Sequence, residues 1–149
     1  MDFNKVERAI KIFNSGYSCA QAVFSSYSED FGLPFDVACK LSSALGGGIG
    51  RQAYTCGALS SAALIIGLKF GSSKPGDSKS KEKVYSLVRK LFERFKEIHG
   101  NTQCKELLNC DISTTEGLSR ATNLLLFKTK CPDFVQTASI ILEDILNSV

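Results

Sequence analysis

Six cysteines stand in a chain that carries one histidine and one methionine, so sulfur is the chemistry to explain first. A thiolate attacks disulfides and binds soft metal ions, whereas a neutral thiol does neither well. The question is which of the six has a setting that favours the anion. Cys19 follows Gly16 and the potential cap Ser18, and Cys56 follows a glycine loop and Thr55. Cys104 follows Gly100, Asn101 and Thr102, while Cys131 directly precedes Pro132, a residue favoured at the start of a helix. All four fall at predicted helix beginnings, where free backbone N–H groups and the positive end of the helix dipole stabilise a thiolate. Cys39 and Cys110 differ. The first lies mid-helix on an apolar face, the second near a helix end, and both read as small packing residues.

Spacing removes the familiar local motifs. No CxxC occurs, so neither a thioredoxin-type redox motif nor a zinc ribbon is present, and any shared site must be assembled by the fold. Cys19, Cys56, Cys104 and Cys131 together could ligate an iron–sulfur cluster or zinc, while two of them could form a reversible disulfide. The spacing leaves both open.

The run GGGIGR places Gly46, Gly47, Gly48 and Gly50 ahead of Arg51. It lacks the Lys and Ser/Thr of a phosphate-binding loop, and Arg51 stands where a GxGxxG starting at Gly46 needs glycine. The loop reads as a means of bringing backbone, Gly48 included, close to a site near Cys56, with Arg51 favouring the anionic sulfur. His99, just before Gly100, is suited to placing positive charge at a helix C-terminus. No GxSxG elbow supports serine catalysis.

These residues need elements to hold them. At 149 residues, 44% hydrophobic, with 10 Phe and 4 Tyr, the chain can bury one core without covalent staples, and a single domain over 1–149 is expected. A net charge of +3 is too mild to demand a nucleic-acid partner. Charges at Asp2, Lys5, Glu7, Arg8 and Lys11 break up the apolar core that a secretory leader needs. The most apolar uncharged stretch, 52–68, is interrupted by Thr55, Ser60 and Ser61 and is shorter than the ~20 apolar residues of a membrane span. A cytoplasmic, reducing setting is therefore expected, and permanent disulfides are not.

Apolar residues recur at helical spacing along almost the whole chain: Val6, Ile10 and Phe13; Ala20, Val23, Phe24 and Tyr27; Val84, Leu87, Leu91, Phe95 and Ile98. Further helices are expected near 36–45, from Thr55 as cap to about Gly71, over 104–110, over 113–127 and over 132–146, with an exposed connector near 72–81. No strand is expected. The fold class is an all-α bundle of about six to seven helices. The most apolar helix, Thr55 to Gly71, serves the core, a homodimer interface or a membrane contact.

The segments GYSCAQAVF, GGGIGR, TCGALSSAALIIGLKFG, CKELLNCDIS and KCPDFV, in that order, resemble the C_GCAxxG_C_C family of redox-active bacterial proteins. Its signature is one Cys, a CGAxxG motif and two later Cys. The resemblance implies that the family's cysteines fall on Cys19, Cys56, Cys104 and Cys131, with Gly57 and Ala58 completing the start of the central motif. Ser61 stands where the family has its final glycine. A serine there can bond back to its own helix and widen the packing slightly. The resemblance further implies a redox partner protein or a small thiol or electron donor, and an accessory role beside a transporter. A non-catalytic binding module with packing cysteines is the rival from another class.

Overall fold

The structure is a computed structural model that describes residues 3–148. Among them are α1 (Phe3–Asn14), α2 (Cys19–Ser28), a 3-10 turn (Glu29–Phe31), α3 (Phe35–Ser43), α4 (Gly57–Phe70), α5 (Ser78–His99), α6 (Cys104–Leu108), α7 (Thr115–Asn123), α8 (Leu126–Thr129) and α9 (Cys131–Ser148). The class is all-α. The two shortest helices, α6 and α8, add to the six or seven expected, and the one β contact among the described residues is an isolated Thr55–Gln103 bridge.

At the centre lies α2, buried on every side from Ala22 to Ser28 and packed against α1, α3, α4 and α9. Its start is fixed by a capping box: Gln21 N–H donates to Ser18 Oγ at 3.2 Å and Ser18 N–H donates to Gln21 Oε1 at 3.0 Å. Small residues on α4 let it approach α2 closely. Gly57, Ala58, Ser61 and Ala62 are all buried, and Ser61 Oγ donates across the interface to Ala20 O at 2.7 Å. The hydroxyl thus ties two helices together instead of bonding within its own, as the sequence led us to expect. Leu59, Ile65 and Ile66 of α4 are fully enclosed between α2, α5 and α9, so most of this helix's apolar surface is used inside the molecule. α5 contributes Leu87, Leu91 and Phe95 and turns its charges outward, ending at Gly100 in the left-handed region (φ 84°). Ile98, expected on its apolar face, is exposed.

The glycine loop forms a left-handed turn. Gly47, Gly48, Ile49, Gly50 and Arg51 all have positive φ, as does Ala53. Left-handed backbone costs about 1 kcal/mol or more at each L residue, so Ile49, Arg51 and Ala53 are held there by what surrounds them. Amide bonds from Arg51, Ala53 and Tyr54 to the carbonyls of Gly46, Gly47 and Gly48 close the turn at 3.1, 3.0 and 3.1 Å. Gly48 is needed sterically, since a Cβ there would sit 2.5 Å from Tyr54 N.

Three expectations are corrected. Thr55 does not cap α4; the bridge to Gln103 takes it, and Cys56 becomes the N-cap residue. The helix expected over 113–127 breaks, because Leu125 adopts φ 57° and starts α8 in a new direction. His99 is wedged beside Phe95 and Phe134, 4.8 and 5.0 Å between ring centres, and its Nε2 pairs with Thr137 Oγ1 at 2.8 Å. Burial holds its pKa below the ordinary value, so it does not supply the expected positive charge. No helix among the described residues is long and apolar enough to cross a membrane.

Phe95→Ala should cost about 3–5 kcal/mol, because it empties a fully buried ring site, whereas Ser61→Ala should cost about 1 kcal/mol through its single interhelical bond. Urea unfolding of the two variants beside the parent checks the ranking; equal losses would contradict the packing described.

Candidate functional site

Each of the four cysteines at predicted helix starts occupies one. Cys19 is the first residue of α2, Cys56 the N-cap of α4, Cys104 the first residue of α6 and Cys131 the first of α9. Folding brings them to one neighbourhood by two routes. The α2–α4 packing sets Cys19 against Cys56, and Gly57 makes this possible: a Cβ there would lie 2.9 Å from Cys19 Sγ and 2.9 Å from Leu45 O. Backbone pairing then brings in Cys104. Cys56 N–H donates to Thr102 O at 2.9 Å and Cys104 N–H to Tyr54 O at 2.6 Å, so two distant segments run side by side.

Cys19, Cys104 and Cys131 line a cavity of about 1300 Å³ whose other walls include the left-handed loop, Tyr17 and Phe127. Cys56 lies behind that wall and is 4% exposed. Cys39 and Cys110 are buried and do not line the cavity, although Cys110 lies close enough to raise the Cys104 pKa. Cys39 is buried on α3, where burial pushes its pKa up, and Cys110 donates to Gly117 O at 3.0 Å.

Electrostatically the four are unequal. Cys19 accepts a hydrogen bond from the Cys56 thiol, and this, with the backbone amides of Ala20, Gly47 and Ala58, pulls its pKa from 9.0 to about 7 against the cost of burial. Cys56 shows the opposite effect: its S–H donates a hydrogen bond to the Cys19 sulfur, and that bond, burial and the negative neighbour push its pKa well up. Cys104 is raised to about 12, by burial first and then by the charge on Cys19. Cys131 is raised further for the same two reasons. The expectation that all four helix starts would favour thiolates is corrected: one site collects the donors, and its charge opposes ionisation of the others.

Arg51 was expected to favour the anionic sulfur, yet it is not among the groups that lower the Cys19 pKa. It lies exposed at the cavity rim, where water screens it. Gly48 was expected at a cofactor; it is buried against the backbone of Ala53 and Tyr54, and it is Gly47 that reaches Cys19. Gly57 does touch the cysteine pair. Sequence reasoning missed the amides of Ala20 and Ala58, which the helix-start argument implied, and Lys128, for which the broken helix over 113–127 left no signal.

An iron–sulfur cluster or zinc would need three or four of these sulfurs around one centre. Among the described residues no group of three or more His, Cys, Asp or Glu side chains stands at metal-holding spacing, so the arrangement does not match a preformed cage.

The family model described as "Putative redox-active protein (C_GCAxxG_C_C)" matches residues 17–145, a stretch that contains all four cysteines. No curated protein and no solved structure matches the chain.

The midpoint of iodoacetamide reaction with Cys19 should lie near pH 7, because its pKa is lowered, the rate rising as pH climbs through that value and falling away below it. Cys56→Ala removes the main donor, and Gly57→Ala forces the sulfurs apart; each should move the midpoint upward by on the order of one unit. A mass-resolved pH–rate profile checks this, and an unmoved midpoint in both variants would contradict the thiol pair.

Proposed function

This chain belongs to the C_GCAxxG_C_C family of redox-active proteins, and from that membership we propose that it is a dithiol–disulfide redox protein in which Cys19 is the attacking sulfur and Cys56 the resolving one. The observation that carries the reading is the geometry of the pair: Cys19 lines the cavity while Cys56 lies behind it in hydrogen-bond contact, a contact that lowers the pKa of the first and raises that of the second. Nucleophilic strength at neutral pH needs the first, and completion of the exchange needs the second.

The chemistry balances as follows. The Cys19 thiolate attacks one sulfur of a partner disulfide, the partner's S–S bond breaks, one partner thiolate leaves and takes up a proton, and a mixed disulfide forms. The Cys56 thiol then loses its proton and its sulfur attacks Cys19 Sγ. The Cys19–Cys56 bond forms and the second partner thiol departs. Two electrons pass from the protein to the partner; an external dithiol drives the reverse. Cys104 and Cys131, held protonated beside the pair, are available as secondary thiols. The partner that takes the electrons is a disulfide-bearing protein or a small disulfide, a small thiol serves as donor for the reverse step, and a reducing compartment such as the cytoplasm suits a pair that must return to the dithiol form.

Stoichiometric oxidation of anaerobically purified protein should consume two of its six thiols, link Cys19 to Cys56 by peptide mapping, and reverse with dithiothreitol. Cys19→Ser should abolish the reaction and Cys39→Ser leave it intact. Stoichiometric iron with sulfide, or zinc, bound through these cysteines would overturn the proposal in favour of a metal centre. Four sulfurs reacting at the pace of a free thiol, with partner binding unaffected by their removal, would favour the accessory-module reading.

A further inference from the structure

The cavity over Cys19 carries information about charge. Arg51 and Lys128 both line it, and no acidic side chain is found among its described lining residues. The two cations come from unrelated parts of the fold, the left-handed loop and α8. Arg51 packs against Gly47, whose amide contacts Cys19: Arg51 Cα is 2.9 Å and Arg51 Cγ 3.2 Å from where a Gly47 Cβ would stand. Arg51 holds a φ of 60° at this contact, and it takes no part in lowering the thiol pKa. The remaining wall is mixed, with an apolar part formed by Phe13, Leu108, Ile112 and Phe127 and polar side chains such as Asn14, Gln21 and Thr122 beside it.

Resting on the dithiol reading above, we infer that this cavity is the binding site for a small organic disulfide bearing carboxylates, which Arg51 and Lys128 attract while the apolar part of the wall receives its carbon skeleton. About 1300 Å³ exceeds the ~300–1,000 Å³ of ordinary ligand pockets and admits a molecule the size of a short peptide disulfide. Of the reacting pair only Cys19 lines the cavity, so the ligand meets Cys19 before Cys56: its S–S bond breaks on attack, one carboxylate-bearing thiol leaves, and Cys56 displaces the second from behind as the protein disulfide forms. The substrate disulfide is reduced to two thiols and the protein dithiol is oxidised.

Full-length reduced protein would be challenged with dithiodipropionate (anionic), hydroxyethyl disulfide (neutral) and cystamine (cationic). Each rate would be divided by that of mercaptoethanol at the same pH to remove intrinsic reactivity. The anionic probe should react at least about fivefold faster than the neutral one, and cystamine slower than both, with the spread collapsing at about 1 M salt. Arg51→Glu and Lys128→Glu should each narrow the anionic-to-cationic ratio, and the double variant should invert it; Lys128 is exposed on α8, so its variant tests the idea even where Arg51→Glu disturbs the loop. Equal normalised rates for the three probes, a ratio untouched by salt and by both variants, or faster reaction with a disulfide-bonded protein than with any probe would overturn this inference while leaving the dithiol pair in place. A Cys19 that reacts with all three no faster than mercaptoethanol would instead bring down the dithiol reading itself.

Discussion

A thiolate inside a protein survives only where hydrogen-bond donors replace the water it has lost, and the rest of this structure can be understood as the means of gathering such donors around Cys19. Three are backbone amides, from Ala20 in its own helix, Ala58 in α4 and Gly47 in the glycine loop, and the strongest is the thiol of Cys56. These donors come from three segments, so the low pKa is a property of tertiary packing. It demands that α2 and α4 meet with their N-termini together, which two large side chains at the contact would prevent. Gly57 and the row of small residues after it remove that obstacle.

The cost of this arrangement falls on the neighbours. A negative sulfur in a poorly solvated site raises the proton affinity of every thiol near it, so Cys56, Cys104 and Cys131 remain protonated while Cys19 ionises. Four thiols at four helix starts thereby differ in proton affinity, one lowered and three raised, without any change of residue type. A second cost is conformational. The loop that delivers the Gly47 amide runs through five consecutive left-handed residues, only three of them glycine, and is closed by its own amides and by the pairing of 53–56 with 102–105. That pairing both stabilises the loop and carries Cys104 to the site, so strain and assembly are solved by the same contacts.

Much of this was legible before folding was considered. The 3.6-residue recurrence of apolar side chains identified the principal helices, and cap residues and glycines bounded them, because those signals arise within a single turn of backbone. The same local physics placed the four cysteines at helix beginnings and set Cys39 and Cys110 aside as packing residues. Where a signal depended on distant partners the reading failed. Thr55 has the chemistry of a cap but is claimed by Gln103, and Leu125 reads as helix yet breaks one. His99 has a C-terminal position that favours charge, and two phenylalanine rings remove the water that charge needs.

The sequence by itself determined the all-α class and which sulfurs stand where a dipole can act on them, since both follow from residue type and short-range spacing, and the order of its motifs carried the resemblance to the family. Only the tertiary structure decided that Cys19 alone receives the donors, that Cys56 faces it across Gly57, and that Arg51 and Lys128 share one cavity with the sulfur. Ionisation and ligand shape depend on what surrounds an atom in three dimensions, and the groups surrounding Cys19 come from stretches of chain that the linear order holds far apart.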